Sequence, residues 1–364
     1  LPSTAELRAQ CRVFISGSLP TTPAEDFAEL SRWCEVNEAD HDLYGSGNLI
    51  QGFERRIAKI LGKERALFCI SGTMAQAIAL RIACEAKGGD TVALHPTAHV
   101  LLHERENYQF LDLFRAVRVG DPFRTWSAED LQAWPGPVSA AFYELPMREI
   151  GGQLPSWESL KALGEHCRKR GIHFHMDGAR LWEAAAGYGQ PASDIAAIFD
   201  SVYVSLYKGI GGLAGAMLAG DVDFIARAEV WLRRFGGNVA RATPYVAAAA
   251  ARFDERIARM PRYLERAKEV ARVVSARPGM RVNPSEPQVN MMHVYCAASR
   301  ERLTAIRDEL AGAHGIWLFG AARHAPLAGE SSFEWYVGDA LLQMPDRELE
   351  HILDLFAERL RPSQ

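Results

Sequence analysis

Three short segments hold side chains that could act together on one bound group. In the first, His175-Met176-Asp177-Gly178-Ala179-Arg180, the aspartate closes an apolar run that reads as a strand. Open α/β sheets place ligands at the carboxyl ends of their strands. A carboxylate set there beside a pyridine-type nitrogen favours the protonated, cationic ring. Such a ring withdraws electrons from an adjoining carbanion. Taken alone, Asp177 is equally compatible with capping the helix that begins near Ala179.

The second segment is Ser205-Leu206-Tyr207-Lys208-Gly209-Ile210-Gly211-Gly212, directly after another strand candidate. A lysine leaving a buried strand beside glycines can be desolvated, so that its amine is nucleophilic near neutral pH, as a Schiff base to a carbonyl requires. Ser205, three residues earlier, could offer its hydroxyl to a phosphate. An isolated lysine in a glycine-rich turn is more often a surface residue. The third segment, Ser71-Gly72-Thr73, lies between a strand and a helix candidate. Free N–H groups and the helix dipole attract an anion there, although a plain Ser or Thr cap has the same sequence. In company, the three segments specify a phosphate cup, a ring-nitrogen partner and a carbonyl-capturing lysine, each at its own strand end.

The elements that must position them alternate between strand and helix. Ala66–Ile70, Thr91–Leu94, Val138–Tyr143, Ile172–Met176, Ser201–Leu206 and Ala214–Leu218 read as strands. Leu49–Leu61, Met74–Ala86 and Leu160–Arg170 read as helices, the last two ending at glycines. This alternation predicts a large three-layer α/β domain with a mostly parallel sheet over residues 49–270. A small α+β domain is expected over 271–364, and an irregular arm over 1–48, where Pro20 and Pro23 interrupt any long period. A long helix from Tyr245 to about Ser275 ends before Pro278-Gly279.

Composition narrows the class. The 364 residues are 48% hydrophobic and 24% charged with a formal charge of −4, which fits a globular protein and disfavours a nucleic-acid partner. The six cysteines form no C-x-x-C pair, so neither a disulfide framework nor a zinc site is expected, and a reducing, cytoplasmic location fits. Residues 1–10 contain no apolar run, and no stretch is long enough to span a bilayer, so neither a signal peptide nor a membrane partner is expected.

Beyond these physical arguments, the chain resembles the threonine aldolase and β-eliminating lyase group of pyridoxal-phosphate enzymes, which have the aspartate-aminotransferase fold (fold type I). The likeness runs from about Tyr44-Gly45 to the terminal helix. It is strongest in Phe68–Gln76 (FCISGTMAQ), in Ala98-His99 to Glu104, and in the D-G-A-R block with a lysine 31 residues after its aspartate. It continues through Asp200–Gly220 and the later R-x-x-G-G at 233–237. The resemblance implies that Lys208 forms the Schiff base, that Asp177 pairs with the pyridine nitrogen, and that Arg180 lies near the phenolic oxygen and the substrate carboxylate. Ser71, Gly72, Thr73 and Ser205 would hold the phosphate. His99 would stack on the ring and serve in proton transfer. Arg241 would reach a neighbouring subunit's phosphate, making the enzyme a homodimer or homotetramer with shared sites. The substrate would be a small β-hydroxy-α-amino acid, split into glycine and an aldehyde. β-Elimination is the alternative, and a dinucleotide-binding oxidoreductase is disfavoured because Gly209-Ile210-Gly211-Gly212 lacks the spaced third glycine.

Three departures point to a rebuilt substrate pocket. Met147 stands where the group has a histidine that touches the β-hydroxyl. Trp335-Tyr336-Val337 stands where an arginine would clamp the α-carboxylate. Tyr207 replaces a small serine before the lysine.

Overall fold

The computed structural model describes residues 3–361, which divide into two compact units. The larger comprises Thr22–Glu149 and Leu154–Arg259; the smaller comprises residues 3–21, Ile150–Gln153 and 260–361.

The larger unit is built on a seven-stranded sheet. Its strands are β1 (Arg65–Cys69), β2 (Thr91–Leu94), β3 (Arg115–Arg118), β4 (Ala140–Glu144), β5 (His173–Gly178), β6 (Ser201–Ser205) and β7 (Ala216–Gly220), in the spatial order β1-β7-β6-β5-β4-β2-β3. All neighbours are parallel except β7, which runs opposite to both β1 and β6. Two reversals cancel, so β1 ends at the same sheet edge as β4, β5 and β6. That edge therefore receives the Ser71–Thr73 turn, Glu144, Asp177 and the Lys208 loop together, as ligand sites of such sheets require.

Every residue of β6 and β7 is buried. Successive side chains of a strand point to opposite faces, so both faces of the sheet are covered, as in other parallel sheets with near-continuous apolar strands. The covering helices include Gly72–Lys87, whose apolar positions Ile78, Ile82 and Ala75 pack with Leu67, Tyr203 and Leu218 of the strands. It starts under Ser71, whose hydroxyl accepts from Met74 N at 3.2 Å, and stops at Gly88 in the left-handed conformation.

The smaller unit carries a four-stranded antiparallel sheet of β8 (Met280–Asn283), β9 (Met291–Cys296), β10 (Ala322–His324) and β11 (Ser331–Tyr336), in the order β10-β11-β9-β8. Its core stacks Phe319 on Phe333, with ring centroids 4.1 Å apart, against Trp335 and Phe356.

Several elements differ from the sequence reading, among them the helices Thr4–Gln10 and Val222–Arg234. The first 48 residues contain a 14-residue helix, Pro23–Val36. Pro23 occupies its first turn, where a missing N–H is harmless, and Thr22 and Glu25 cap it reciprocally. Strand β3 escaped notice because it is the sheet edge and buries only Val117 among Arg115-Ala116-Val117-Arg118. No described helix is long and apolar enough to cross a membrane.

Candidate active site

One small cavity at the sheet edge is lined by Lys208, Asp177, Arg180, His99, Glu144 and Arg148, together with Leu145, Pro146 and Ala179. The sheet register explains the meeting. Asp177 on β5 is paired with Glu144 on β4 and with Tyr203 on β6, and Lys208 follows β6 by three residues. The loop to the lysine is held by Ser205, whose buried hydroxyl accepts from Tyr207 N at 3.3 Å and Lys208 N at 3.2 Å. Those two bonds leave the Ser205 proton to be donated elsewhere.

The cavity contains groups of opposite charge at low dielectric. Burial lowers the proton affinity of the Lys208 amine; Asp177 and Glu144 oppose this, while Arg180 and Arg148 add to it. The Lys208 ammonium makes no side-chain hydrogen bond among the described residues. Burial also raises the Asp177 carboxyl, against the stabilising charges of Lys208 and His99 and the bond from Ala179 N at 3.0 Å. Asp177 braces the turn at Ala179 but does not cap the next helix, which begins at Leu181 with Arg180 at its N-cap and no side-chain cap bond, so the capping reading gives way to the cavity. Glu144 is pushed up to about 7, first by burial and then by the nearby Asp177 charge. Its two oxygens accept from backbone N–H groups of two other lining residues, His99 and Arg148, each at 3.1 Å.

His99 opens a short helix, His99–Leu102, with Nδ1 3.4 Å from Glu104 Oε1. Burial disfavours its protonated form, but Glu104 and Asp177 outweigh that and raise its proton affinity. The Glu104 side chain is only 2% exposed, so its charge acts largely unscreened.

The β-eliminating lyase family model matches residues 28–297, about three quarters of the chain. The chain belongs to the β-eliminating lyase family. A putative L-allo-threonine aldolase structure from Listeria monocytogenes is 38% identical, covers 97% of this chain and 98% of that one, and superposes with a TM-score of 0.91. A putative aromatic amino acid β-eliminating lyase/threonine aldolase from Exiguobacterium is 34% identical over 97% and 99%, with a TM-score of 0.90. The low-specificity L-threonine aldolase 1 of Arabidopsis thaliana is 28% identical over 265 residues, covering 70% of this chain and 74% of that protein. The architecture is fold type I, shared also with a Sphingomonas wittichii serine palmitoyltransferase at 16% identity and a TM-score of 0.70.

Within this family member, the structure brings Lys208, Asp177, Arg180 and His99 to one cavity. Ser71, Gly72, Thr73, Ser205 and Arg241 are not among its lining residues. The first three form the start of the helix Gly72–Lys87, and Gly72 lies so close to Tyr203 that a Cβ there would come 2.2 Å from the phenol oxygen. Gly237, in the R-x-x-G-G block, packs as tightly on Met74 of that helix, where an added Cβ would come 2.4 Å from the sulfur. Arg241 is exposed and donates to the Asp42 carbonyl beside the start of the helix Thr243–Ser275. Met147 is buried, and Tyr207 is 42% exposed.

Glu144 escaped the sequence reading as a site residue, and Glu104, which ends a segment of strong likeness, could be read there equally as a supporting group or as part of a solvated face. Glu144 follows Ala140-Ala141-Phe142-Tyr143 and looks like the solvated end of an apolar strand. Only its position one strand from Asp177, and Glu104's five-residue spacing from His99, could have drawn attention to them.

A buried polar chain ties two of these segments together. His173 Nε2 and His175 Nδ1 both lie 2.7 Å from Ser201 Oγ, and His175 Nε2 lies 2.7 Å from Gln76 Oε1 on the helix that starts at Gly72. Burial lowers both histidines, His173 to about 4, so both are neutral.

Proposed function

We propose that this chain is a pyridoxal-phosphate-dependent lyase that cleaves the Cα–Cβ bond of a β-hydroxy-α-amino acid, giving glycine and an aldehyde. The observation that carries the reading is a lysine amine of lowered proton affinity opening on the same cavity as a buried aspartate, with an imidazole–carboxylate pair beside them. The donor set fits the cofactor. Lys208 would hold its aldehyde carbon, Asp177 its ring-nitrogen proton, and Arg180 its phenolic oxygen. The turn Ser71, Gly72, Thr73 and the remaining proton of Ser205 would hold its phosphate at a helix start.

When bound, pyridoxal phosphate supplies a sink for the electron pair left at Cα. The protein's own groups do the rest. Lys208, whose proton affinity burial lowers, would hold the cofactor's carbonyl carbon until the substrate amine takes its place, and would then take up the protons that amine gives up. Asp177, whose ionised form burial disfavours and the charges of Lys208 and His99 support, would keep a proton on the cationic ring facing it. His99 removes the β-hydroxyl proton as the aldehyde departs, while Glu104 orients the imidazole and stabilises its charged form. Glu144 ties His99 and Arg148 to the strand end by their backbones.

The names of the Listeria and Arabidopsis relatives support a β-hydroxy substrate. Buried Met147 offers no group that could discriminate a hydroxyl, which favours tolerance toward the β-substituent. The exposed Arg241, outside the Lys208 cavity, fits a homo-oligomer in which it serves a second copy. The free cysteines, five of them buried, fit a reducing cytoplasm.

Incubation with L-threonine and L-allo-threonine should release acetaldehyde and glycine. Ammonia with a 2-keto acid would instead assign β-elimination. Borohydride reduction should place the pyridoxyl group on Lys208, and labelling of any other lysine would overturn the site.

A further inference from the structure

The helix Gly72–Lys87 begins with N–H groups that need acceptors. Ser71 takes two of them, that of Met74 on its hydroxyl and that of Ala75 on its carbonyl, each at 3.2 Å. The N–H groups of Gly72 and Thr73 come before these, where a helix has no preceding turn to accept them. We infer that the Tyr203 hydroxyl completes this helix start as a phosphate site, donating to the phosphate of the cofactor. The inference rests on the pyridoxal-phosphate reading and adds a binding residue to it.

Tyr203 and Ser205 are two residues apart on β6, so their side chains leave the same face of the sheet. The helix Gly72–Lys87 covers that face, because Tyr203 packs in one cluster with its Ala75 and Ile78. The phenol ends against the first residue of the helix. A Cβ on Gly72 would come 2.2 Å from the phenol oxygen and 2.7 Å from the ring carbon that bears it. Only a glycine therefore lets the hydroxyl approach the turn this closely.

Tyr203 is 3% exposed, and a buried tyrosine O–H ordinarily finds a partner. The hydroxyl that acts on the phenol is that of Ser205, but it cannot take the phenol's proton. A serine oxygen has two lone pairs, and the N–H groups of Tyr207 and Lys208 occupy both, at 3.3 and 3.2 Å. Ser205 is left with a proton to give, and so is Tyr203. Burial first, and the Asp177 charge second, push the phenol well above its usual 10, so it remains a donor through the neutral range. Two hydroxyls and two backbone N–H groups thus face one helix start, and all of them donate. A phosphate, whose oxygens accept, suits such a set. The same strand leads on to Lys208, five residues after Tyr203, so one element carries both the phosphate donor and the amine.

The test compares wild type and Y203F as full chains freed of cofactor with hydroxylamine. Phenylalanine keeps the ring in its cluster and removes only the donor. Each protein is titrated with pyridoxal phosphate, with pyridoxal, which has the ring and aldehyde but no phosphate, and with inorganic phosphate. Absorbance reads the two aldehydes, and phosphorus NMR line broadening reads the inorganic anion. A hydrogen bond to a charged group corresponds to about 10–100-fold in affinity. Y203F should therefore weaken pyridoxal phosphate about 10–100-fold, weaken inorganic phosphate in parallel, and move pyridoxal less than about 3-fold. Unchanged affinity for pyridoxal phosphate overturns the proposal, as does an equal loss for pyridoxal, which a merely structural role would give. If the wild type binds inorganic phosphate but neither aldehyde, and Y203F loses the phosphate, the cofactor reading falls and the phosphate contact stands. A wild type that binds none of the three overturns both.

Discussion

Replacing Glu144 with glutamine should change stability by an amount that depends on pH, because it removes a buried titrating group from the cavity. Glutamate presents an oxygen to each of two backbone N–H groups, those of His99 and Arg148. Glutamine has one oxygen and one NH2 group, and the NH2 cannot accept. One buried donor is therefore left unsatisfied, a loss of about 1–3 kcal/mol. The opposing effect comes from charge. The folded-state carboxyl is raised from its usual 4.5 to about 7, by burial first and Asp177 second. A carboxyl shifted upward contributes stability that is complete below the unfolded value and lost as pH rises through the folded one. For this shift the wild type loses about 2–3 kcal/mol between pH 5 and pH 8, and E144Q does not. At pH 5 the variant should be the less stable by about 1–3 kcal/mol, and by pH 8 the gap should close or reverse. Urea unfolding of both holoenzymes at saturating cofactor measures this. A wild-type-to-variant difference that stays constant from pH 5 to pH 8 would refute the assignment of a strained, buried carboxyl.

Three further outcomes are expected. H99N should lower kcat by about 10²–10⁴-fold while leaving glycine binding intact; a loss confined to KM would remove His99 from proton transfer. In E104Q the hydrogen bond and charge that favour protonated His99 are gone and burial remains, so the acid limb of the kcat/KM profile should move to lower pH. An unmoved limb would show that Glu104 does not govern the titrating group. G72A drives a methyl to 2.2 Å from the Tyr203 hydroxyl, and overpacking of this kind costs about 1–3 kcal/mol. Cofactor affinity should fall as the helix start shifts, and a normal cofactor dissociation constant would detach that turn from the phosphate.

The parts of the site that could be read in the sequence are those with a local signature. Asp177 ends an apolar run, and Lys208 leaves one into glycines, so strand ends alone placed both at the edge where ligands bind. Ser71-Gly72-Thr73 was legible in the same way as the turn from a strand end into a helix start. Glu144 and Glu104 had no such signature. The role of Glu144 depends on which strands are neighbours, which is long-range information. Glu104 meets His99 because the short helix His99–Leu102 ends at His103, just before it, a local ending that side-chain periodicity does not announce. The fold followed a similar division. Fully buried strands were visible as apolar runs, whereas the edge strand β3 and the helix Pro23–Val36, opened by a proline, were hidden by residues that usually mark loops.

The line from His173 through Ser201 and His175 to Gln76 has a consequence of its own. A serine carries one hydrogen, so with the Gln76 oxygen as terminal acceptor only one ordering satisfies all three contacts: His173 donates to Ser201, Ser201 to His175, and His175 to Gln76. Both imidazoles must then carry their proton on Nε2. The strand that ends in Asp177 and the helix Gly72–Lys87 are thereby joined by a one-way file of donors, and alanine in place of Ser201 would leave the donor of His173 and the acceptor of His175 unpartnered at once, one on either side of the gap.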